Sequence, residues 1–500
     1  MDTDVNRPKV SVVVPTHNCG PHLDPLVSSL ERQSLPPGEF EVVFVDDGST
    51  DDTPRRLAAL AAVHEHFHLV RLENSGWPSR PRNVGVEHAR GEYVFFADDD
   101  DWFAEEALER LYACASTHDA DIVVGKMAGH RRSVPRELFR RNRFDATLAN
   151  APLIDSLTCH KLFRRDFLDK HELRFSEGPY RRLEDHRFVV RAYLLSGRTC
   201  VLADYTCYHH QRRVDEGNVT ATRMDPAEYY AALREAIDIV DAHVPPGPLR
   251  DRLHRRWLRN EMVERLRGQR LIDAPEDWIA RVVAEIRDIL RERFAPGVAA
   301  GLPPLHRALA YLAEQGRLAD LRRLAEWETG VRAQADVRGW EVSGHTVTLT
   351  VAAYLAAGDG PLRFGADGRE LPVLPVDGVD PPPGVPVASG ATKVDLVARH
   401  AQTREEIFLP VTVHTERVPE GDVLRVEHVV TTTADFGALA GGRTRGTWQV
   451  KARVSGAGWT RDTGLALLVH CAADGAPPRV ENERSFFSRL RRLAGRLRPR

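Results

Sequence analysis

The 500-residue sequence predicts an α/β domain on a mostly parallel, Rossmann-like sheet, followed by a helical linker and a C-terminal β-sandwich of immunoglobulin-like type. Three observations support this. Short apolar runs alternate with helix-length stretches up to about residue 225. Four helical stretches rich in Arg, Glu, Ala and Leu then run to about residue 332. Beyond that, strand-length pieces divided by Gly- and Pro-rich turns continue to about residue 478.

In the first segment, VSVVV (centred on 11–14), EVVFVDD (41–47), HLVRL (68–72), YVFFADDD (93–100) and DIVVG (121–125) read as buried strands. Between them, Leu26–Gln33, Thr53–His64 and Ala104–Thr117 carry helical spacing. Polar residues gather where the strands end: Thr16-His17-Asn18, Asp46-Asp47-Gly48-Ser49, and Asp98 to Asp101. Open α/β sheets bind ligands at the carboxyl ends of their strands, so these clusters are expected to converge. In the second segment, 226–243, 249–268, 276–295 and 303–328 read as helices separated by the breakers VPPGP, DAP and PGVAAGLPP. In the third, TVTLTVAAYL, IFLPVTVHT, VLRVEHVV, TWQVKARV and LALLVH read as strands, with LPVDGVDPPPGVPVASG a long loop or a seam between two units. Residues 479–500 stand apart. Phe486, Leu490, Leu493 and Leu497 share one helical face among arginines, which suits an anionic membrane surface or a partner groove; a frayed charged tail is the competing reading.

The bulk numbers exclude several classes. With 42% hydrophobic and 28% charged residues the chain is of ordinary globular composition. A net charge of −3 gives no global field for nucleic acid. No stretch approaches the roughly 18 apolar residues of a membrane span, and VSVVVP is too short for a signal peptide. The six cysteines form no C-x-x-C pair and read as reduced thiols. The expected location is cytoplasmic, peripheral on the inner face of the cell membrane if the tail binds lipid.

The informative stretch is YVFFADDDDW (93–102), a buried strand running into four aspartates. Clustered carboxylates repel, and burial raises the cost. Either the turn is solvated or a divalent cation belongs there. A metal held by one or two carboxylates can neutralise a diphosphate leaving group while keeping open positions. Asp98 and Asp100 form a D-x-D whose side chains point the same way if the strand continues that far. Asp101 is expected to cap the following helix, and Asp99 is the least committed.

VSVVVPTHN, VVFVDDGSTDDT, ENSGWPSRPRNVG and GEYVFFADDDDW, in that order and spacing, resemble the family 2 inverting glycosyltransferases of GT-A fold over roughly residues 9–220. The resemblance implies donor contacts from Pro15, Thr16 and Asn18 to the nucleobase and from Asp47 to the uracil or ribose side. It implies Asp98 and Asp100 as the D-x-D, Asp100 being the direct ligand of Mn²⁺ or Mg²⁺. Asn74 and Asp99 are counted with the donor-binding residues. Arg82 precedes a helix start and suits a diphosphate, the alternative being a fold-supporting pair with the acidic turn. The family's E-D pair maps to Glu184-Asp185, with Asp185 the general base and Glu184 positioning; helix capping is the bland reading of the same pair. In CYHHQRRVDEGNVT a histidine completes the metal shell or contacts the diphosphate, and His209 is favoured over His210. Arg181 and Arg182, like the arginine-rich 129–144, suit a phosphate-bearing acceptor.

The overall layout resembles the teichoic-acid glycosyltransferases of Gram-positive bacteria, whose acceptor is a polyol-phosphate chain and whose β domains can mediate trimers. The expected activity is therefore an inverting, metal-dependent transfer from a UDP-sugar to a cell-wall polymer or lipid-linked glycan. The alternative is a carbohydrate-binding scaffold with a catalytically silent GT-A domain. A sugar-1-phosphate nucleotidyltransferase is set aside, because VVVPTHNCGPHL lacks the Gly-rich loop that class needs. The β region is assigned to oligomerisation or glycan binding.

Overall fold

The computed structural model describes residues 7–211, 224–366, 369–379, 387–388, 390–439, 446–472 and 476–482. The chain divides into two compact units, Met1–Leu253 and His254–Arg500. The C-terminal amphipathic face at Phe486 to Leu497 lies outside the described residues.

In the first unit the strands are β1 (Val10–Thr16), β2 (Phe40–Asp47), β3 (Phe67–Leu72), β4 (Tyr93–Phe96), β5 (Trp102–Phe103), β6 (Ile122–His130), β7 (Arg143–Ala146), β8 (Leu162–Arg164) and β9 (Thr199–Gln211). The helices are α1 (Leu23–Glu31), α2 (Thr53–Val63), α3 (Ser79–His88), α4 (Ala107–Thr117), α5 (Arg165–Lys170), α6 (Glu184–Leu195) and α7 (Pro226–His243). The sheet order is β3-β2-β1-β4-β8-β6-β9-β5, with β7 also on β9. β3, β2, β1 and β4 are parallel neighbours, in register Val42↔Phe67, Val10↔Phe40 and Val10↔Tyr93. β1, β2 and β4 are buried almost throughout, every residue of β2 included, and are apolar up to their polar carboxyl ends except for Ser11 and Glu41, whereas the edge strand β3 is largely half-exposed. The short strand β8 runs antiparallel between β4 and β6. It was not expected from the sequence: three residues show no period. α3 lies directly on β1, for a Cβ on Gly85 would sit 2.2 Å from Val13 Cγ1.

The second unit begins within α8 (Pro248–Trp257) and continues through α9 (Gly268–Ile272), α10 (Glu276–Arg293), α11 (Pro296–Ala300), α12 (Pro304–Glu314) and α13 (Leu318–Glu328). The stretch read as one helix over 303–328 is two, broken at Gly316, which adopts φ +68°. Among the described residues, no helix is long and apolar enough to cross a membrane.

The remaining strands are β10 (Val331–Ser343), β11 (Thr346–Ala357), β12 (Gly360–Pro361), β13 (Arg363–Gly365), β14 (Lys393–His400), β15 (Glu406–Phe408), β16 (Val411–Glu420), β17 (Val423–Asp435), β18 (Gly446–Gly456), β19 (Trp459–Cys471) and β20 (Arg479–Asn482). One antiparallel sheet holds β10, β11, β12, β13, β16 and β17; the other runs β15-β14-β18-β19-β20. The two face each other through β10 and β19. IFLPVTVHT is not one strand: β15 and β16 belong to different sheets, and the chain crosses at Leu409-Pro410, where proline cannot donate to a ladder.

Candidate active site

The carboxyl ends of β1, β2, β3 and β4 converge on a cavity of about 420 Å³ in the first unit. Pro15, Thr16, Asp47, Asn74, Arg82 and Asp98 to Asp100 line it, and Glu184 and Asp185 reach it from the first turn of α6. The residue ahead of them, Leu183, sits at φ +60°, a strained conformation for a branched side chain. That turn aims both acids inward.

Arg82 organises the site. It is 4% exposed and lies on α3 beneath the strand ends. Its Nη2 donates to Asp98 Oδ1 at 2.9 Å, and its Nη1 donates to Asp185 Oδ1 at 3.0 Å and to Glu184 Oε1 at 3.4 Å. One guanidinium thus ties the D-x-D turn to the E-D pair, using the fork that lysine lacks. Asp185 Oδ2 also accepts from the Cys159 amide at 3.3 Å. Glu184 is driven up to about 7 by burial and by the adjacent Asp185 charge, which Arg82 only partly offsets. Burial opposes ionisation of Asp98 too, yet the positive charge around it, Arg82 included, holds its carboxyl well below the usual range.

The acidic run is a turn and not a strand extension. β4 ends at Phe96, so period-two alternation does not apply to Asp98 and Asp100. Asp99 accepts from the Cys19 thiol at 2.7 Å. Asp101 is no helix cap, since α4 begins only at Ala107. It is fully buried, and its Oδ1 accepts from the Gln211 amide at 2.7 Å. Burial, followed by the charges of Asp98 and Asp100, pushes its carboxyl well up.

Ligand-capable atoms of Asp98, Asp101, His160 and His210 all lie within 4.8 Å of one another. Asp101 Oδ2 and His210 Nε2 are buried without a hydrogen-bond partner among the described residues. His160 Nδ1 lies 3.2 Å from the Phe96 carbonyl oxygen and must therefore carry the proton. Its Nε2 lone pair then faces Asp98 Oδ2 at 3.5 Å. Burial lowers both imidazoles, His210 to about 2, which favours the neutral form that can offer a lone pair. Two acceptors facing one another beside two orphaned ones fit a divalent cation with mixed O/N ligation.

His209 is not in this group, which corrects the sequence preference. It pairs with Trp102 across β5–β9, stacks on that ring at 5.0 Å, and lies 3.0 Å from His130. Adjacent strand residues face opposite ways, so His210 takes the cavity side. Asp100 lines the cavity but is not among the converging four.

Other expected residues fall into place or away from it. Asp47 is oriented by Ser75, whose amide and hydroxyl donate to its two oxygens at 3.0 and 2.9 Å. Asn74 Oδ1 accepts from the Gly76 amide at 2.6 Å and shapes the loop. Asn18 does not line the cavity: its Oδ1 accepts from the Thr50 and Asp51 amides at 2.9 and 3.3 Å, stabilising the loop after β2. Arg181 donates to the Gly76 carbonyl at 3.2 Å, beside the cavity; neither it nor Arg182 lines the wall. His17, Trp77, Arg132, Thr158 and His160 do line it and were not assigned from sequence. Among them only the T-C-H-K cluster ahead of β8 offered a signal, a polar group entering an apolar strand.

Two family models match the chain: glycosyl transferase family 2 over residues 11–172, and the glycosyl transferase TarS linker domain over 226–325. Over 242 residues the chain is 35% identical to the poly(ribitol-phosphate) beta-N-acetylglucosaminyltransferase TarS of Staphylococcus aureus strain MW2, covering 47% of this chain and 41% of that protein. It is 30% identical to the poly(ribitol-phosphate) beta-N-acetylglucosaminyltransferase TarP of strain N315, covering 45% of this chain and 70% of that protein. A crystal structure of S. aureus TarS 1–349 with UDP-GlcNAc superposes with a TM-score of 0.56 at 25% identity, over 71% of this chain and 98% of that one.

Proposed function

The chain belongs to glycosyl transferase family 2, and on that premise we propose that it transfers a sugar from a UDP-sugar to a hydroxyl of a polyol-phosphate polymer, with inversion. The observation that carries this is the shared guanidinium: Arg82 holds the D-x-D carboxylate and the E-D pair in one cavity. A single displacement needs donor-side and acceptor-side groups at that range. Asp185 takes the proton of the acceptor hydroxyl as its oxygen bonds to the anomeric carbon; the bond from that carbon to the diphosphate oxygen breaks, and UDP leaves. Arg82 holds the Asp185 carboxylate in place and offers positive charge toward the leaving diphosphate. Asp47, fixed by Ser75, reads the nucleoside. Asp98, Asp101, His160 and His210, with Asp100 beside them, would hold a divalent cation that supplies Lewis-acid neutralisation of the diphosphate.

The polymer acceptor and UDP-GlcNAc as first donor are supported by the printed activities of the two relatives, TarS and TarP. The test is transfer from UDP-GlcNAc to ribitol-phosphate oligomers, with UDP binding measured by calorimetry. Asp185→Asn should abolish transfer and keep UDP binding. Wild type that binds no nucleoside diphosphate, or an Asp185→Asn variant with undiminished transfer, would refute the reading.

A further inference from the structure

The turn that runs into β8, Ser156 to Lys161, holds a charge that the proposed mechanism does not use. Lys161 is fully buried. Its ammonium makes no ion pair among the described residues; it donates to the Thr158 carbonyl and lies 5.9 Å from the centre of the Tyr193 ring. Burial lowers that ammonium to about 8, which leaves it charged at pH 7. The Lys161 backbone closes the same turn, its amide donating to the Cys159 carbonyl at 2.7 Å. Tyr193, on α6, donates its hydroxyl to the Ser156 carbonyl at 3.1 Å. The carbonyls of Ser156, Thr158 and Cys159 are thus all held, each by Lys161 or by α6. An ammonium buried without an ion pair is costly unless negative charge reaches it by another route.

Here the route is a peptide group. The Thr158 carbonyl and the Cys159 amide belong to one planar peptide unit. Its oxygen accepts from Lys161 Nζ, and its N–H donates to Asp185 Oδ2 at 3.3 Å. A cation on the oxygen draws electron density from the nitrogen and makes the N–H a stronger donor. Asp185 is therefore gripped on both oxygens: Oδ1 by Arg82 directly at 3.0 Å, Oδ2 by Lys161 through the peptide. Each carboxylate oxygen has a second acceptor position, so the grip leaves room for a substrate hydroxyl. We propose that Lys161 is a positioning residue for Asp185, acting through the Thr158–Cys159 peptide. Its effect on transfer rests on Asp185 being the base proposed above; the relay itself does not.

The test uses the full chain labelled with ¹⁵N-cysteine, whose six amide signals include that of Cys159, assigned by its loss in Cys159→Ser. Lys161→Met keeps the aliphatic stem and deletes the ammonium. It should move the Cys159 amide proton upfield. Asp185→Asn should do the same from the other end of the peptide, and the two shifts should not add in the double variant. In transfer from UDP-GlcNAc to ribitol-phosphate oligomers, Lys161→Met should lower kcat about tenfold, the scale of one charge-assisted hydrogen bond. Its KM for the donor and its UDP affinity should not change. Lys161→Gln, which keeps a donor without the charge, should fall between the two, and it carries the same readouts if the methionine variant does not fold. A Cys159 signal that stays in place in the Lys161 variants, or moves no more than the other five, would overturn the proposal. So would UDP affinity lost in step with kcat, which would make Lys161 a mere support for the neighbouring His160. If wild type transfers no sugar, the proposed function fails, and the amide signal alone decides the relay: a response shared by Lys161→Met and Asp185→Asn supports it, and a response to only one of them refutes it.

Discussion

Replacing Arg82 by methionine keeps the aliphatic stem and deletes the guanidinium that Asp98, Glu184 and Asp185 share. Removing one partner of a buried ion pair costs about 3–5 kcal/mol, because the other charge is left uncompensated. Two close charge-assisted hydrogen bonds at about 1.5–3 kcal/mol each bracket the same figure. The loss must depend on pH, and its sign follows from Asp98. In wild type that carboxyl is held below its unfolded value, so its stabilisation is present above the unfolded carboxylate range, about pH 4, and disappears as pH falls through the folded value. Without Arg82 the depression shrinks, and the native state takes up protons. The deficit against wild type is therefore fully present from pH 7 down to the ordinary carboxylate range and narrows below about pH 4. Native-state hydrogen exchange of the β1 and β4 amides measures it in the first unit alone. A deficit under about 1 kcal/mol at pH 7, or one equal at pH 7 and 3, would refute the claim that Arg82 compensates these acids.

Three further outcomes are expected. Glu184→Gln should stabilise the protein at pH 8 by up to about 3 kcal/mol and leave it unchanged near pH 4.5, because a carboxyl raised to about 7 penalises folding progressively between its unfolded and folded values; paired denaturation curves at the two pH values read this. His210→Ala should abolish Mn²⁺ binding in water-proton relaxation titrations, whereas His209→Ala, which removes a ring stacked on Trp102, should retain it. Gly48→Ala should cost about 1–3 kcal/mol and weaken UDP binding measured by calorimetry, since residue 48 sits at φ +66° and the new Cβ would lie 2.5 Å from the Asn74 amide nitrogen.

The parallel half of the first unit was legible because buried parallel strands are continuous apolar runs and their helices have clear period. The acidic clusters were legible as strand-end residues for the same reason. What escaped depended on contacts between distant segments. The side of β9 that faces the cavity is set against β6, where the register shifts between Gly125 and Lys126 and again before Met127. Each shift can exchange inward and outward residues, so His209-His210 could not be ordered by counting. His160 was missed because it enters the site through β8, whose position between β4 and β6 no local pattern encodes. Arg82 was visible as a cation near a helix start, but its partners lie 16, 102 and 103 residues away.

The four aspartates are tolerable because their surroundings treat them differently. Asp98 is matched by Arg82, Asp99 takes a thiol hydrogen, and Asp101 takes an amide hydrogen from Gln211. These donors are spread over α3, the β1–α1 connection and the end of β9, so the turn can be this acidic only when all three are in place. One deficit survives: Asp101 Oδ2 and His210 Nε2 have no donor, and His160 faces Asp98 lone pair to oxygen. Burial is therefore what favours the cation reading over the bland one. It also gives Arg82 its second consequence. Under the function proposed above, a cation that neutralised Asp98 would reduce the competition for the guanidinium and strengthen its hold on Asp185, so that filling the donor side would position the proposed base.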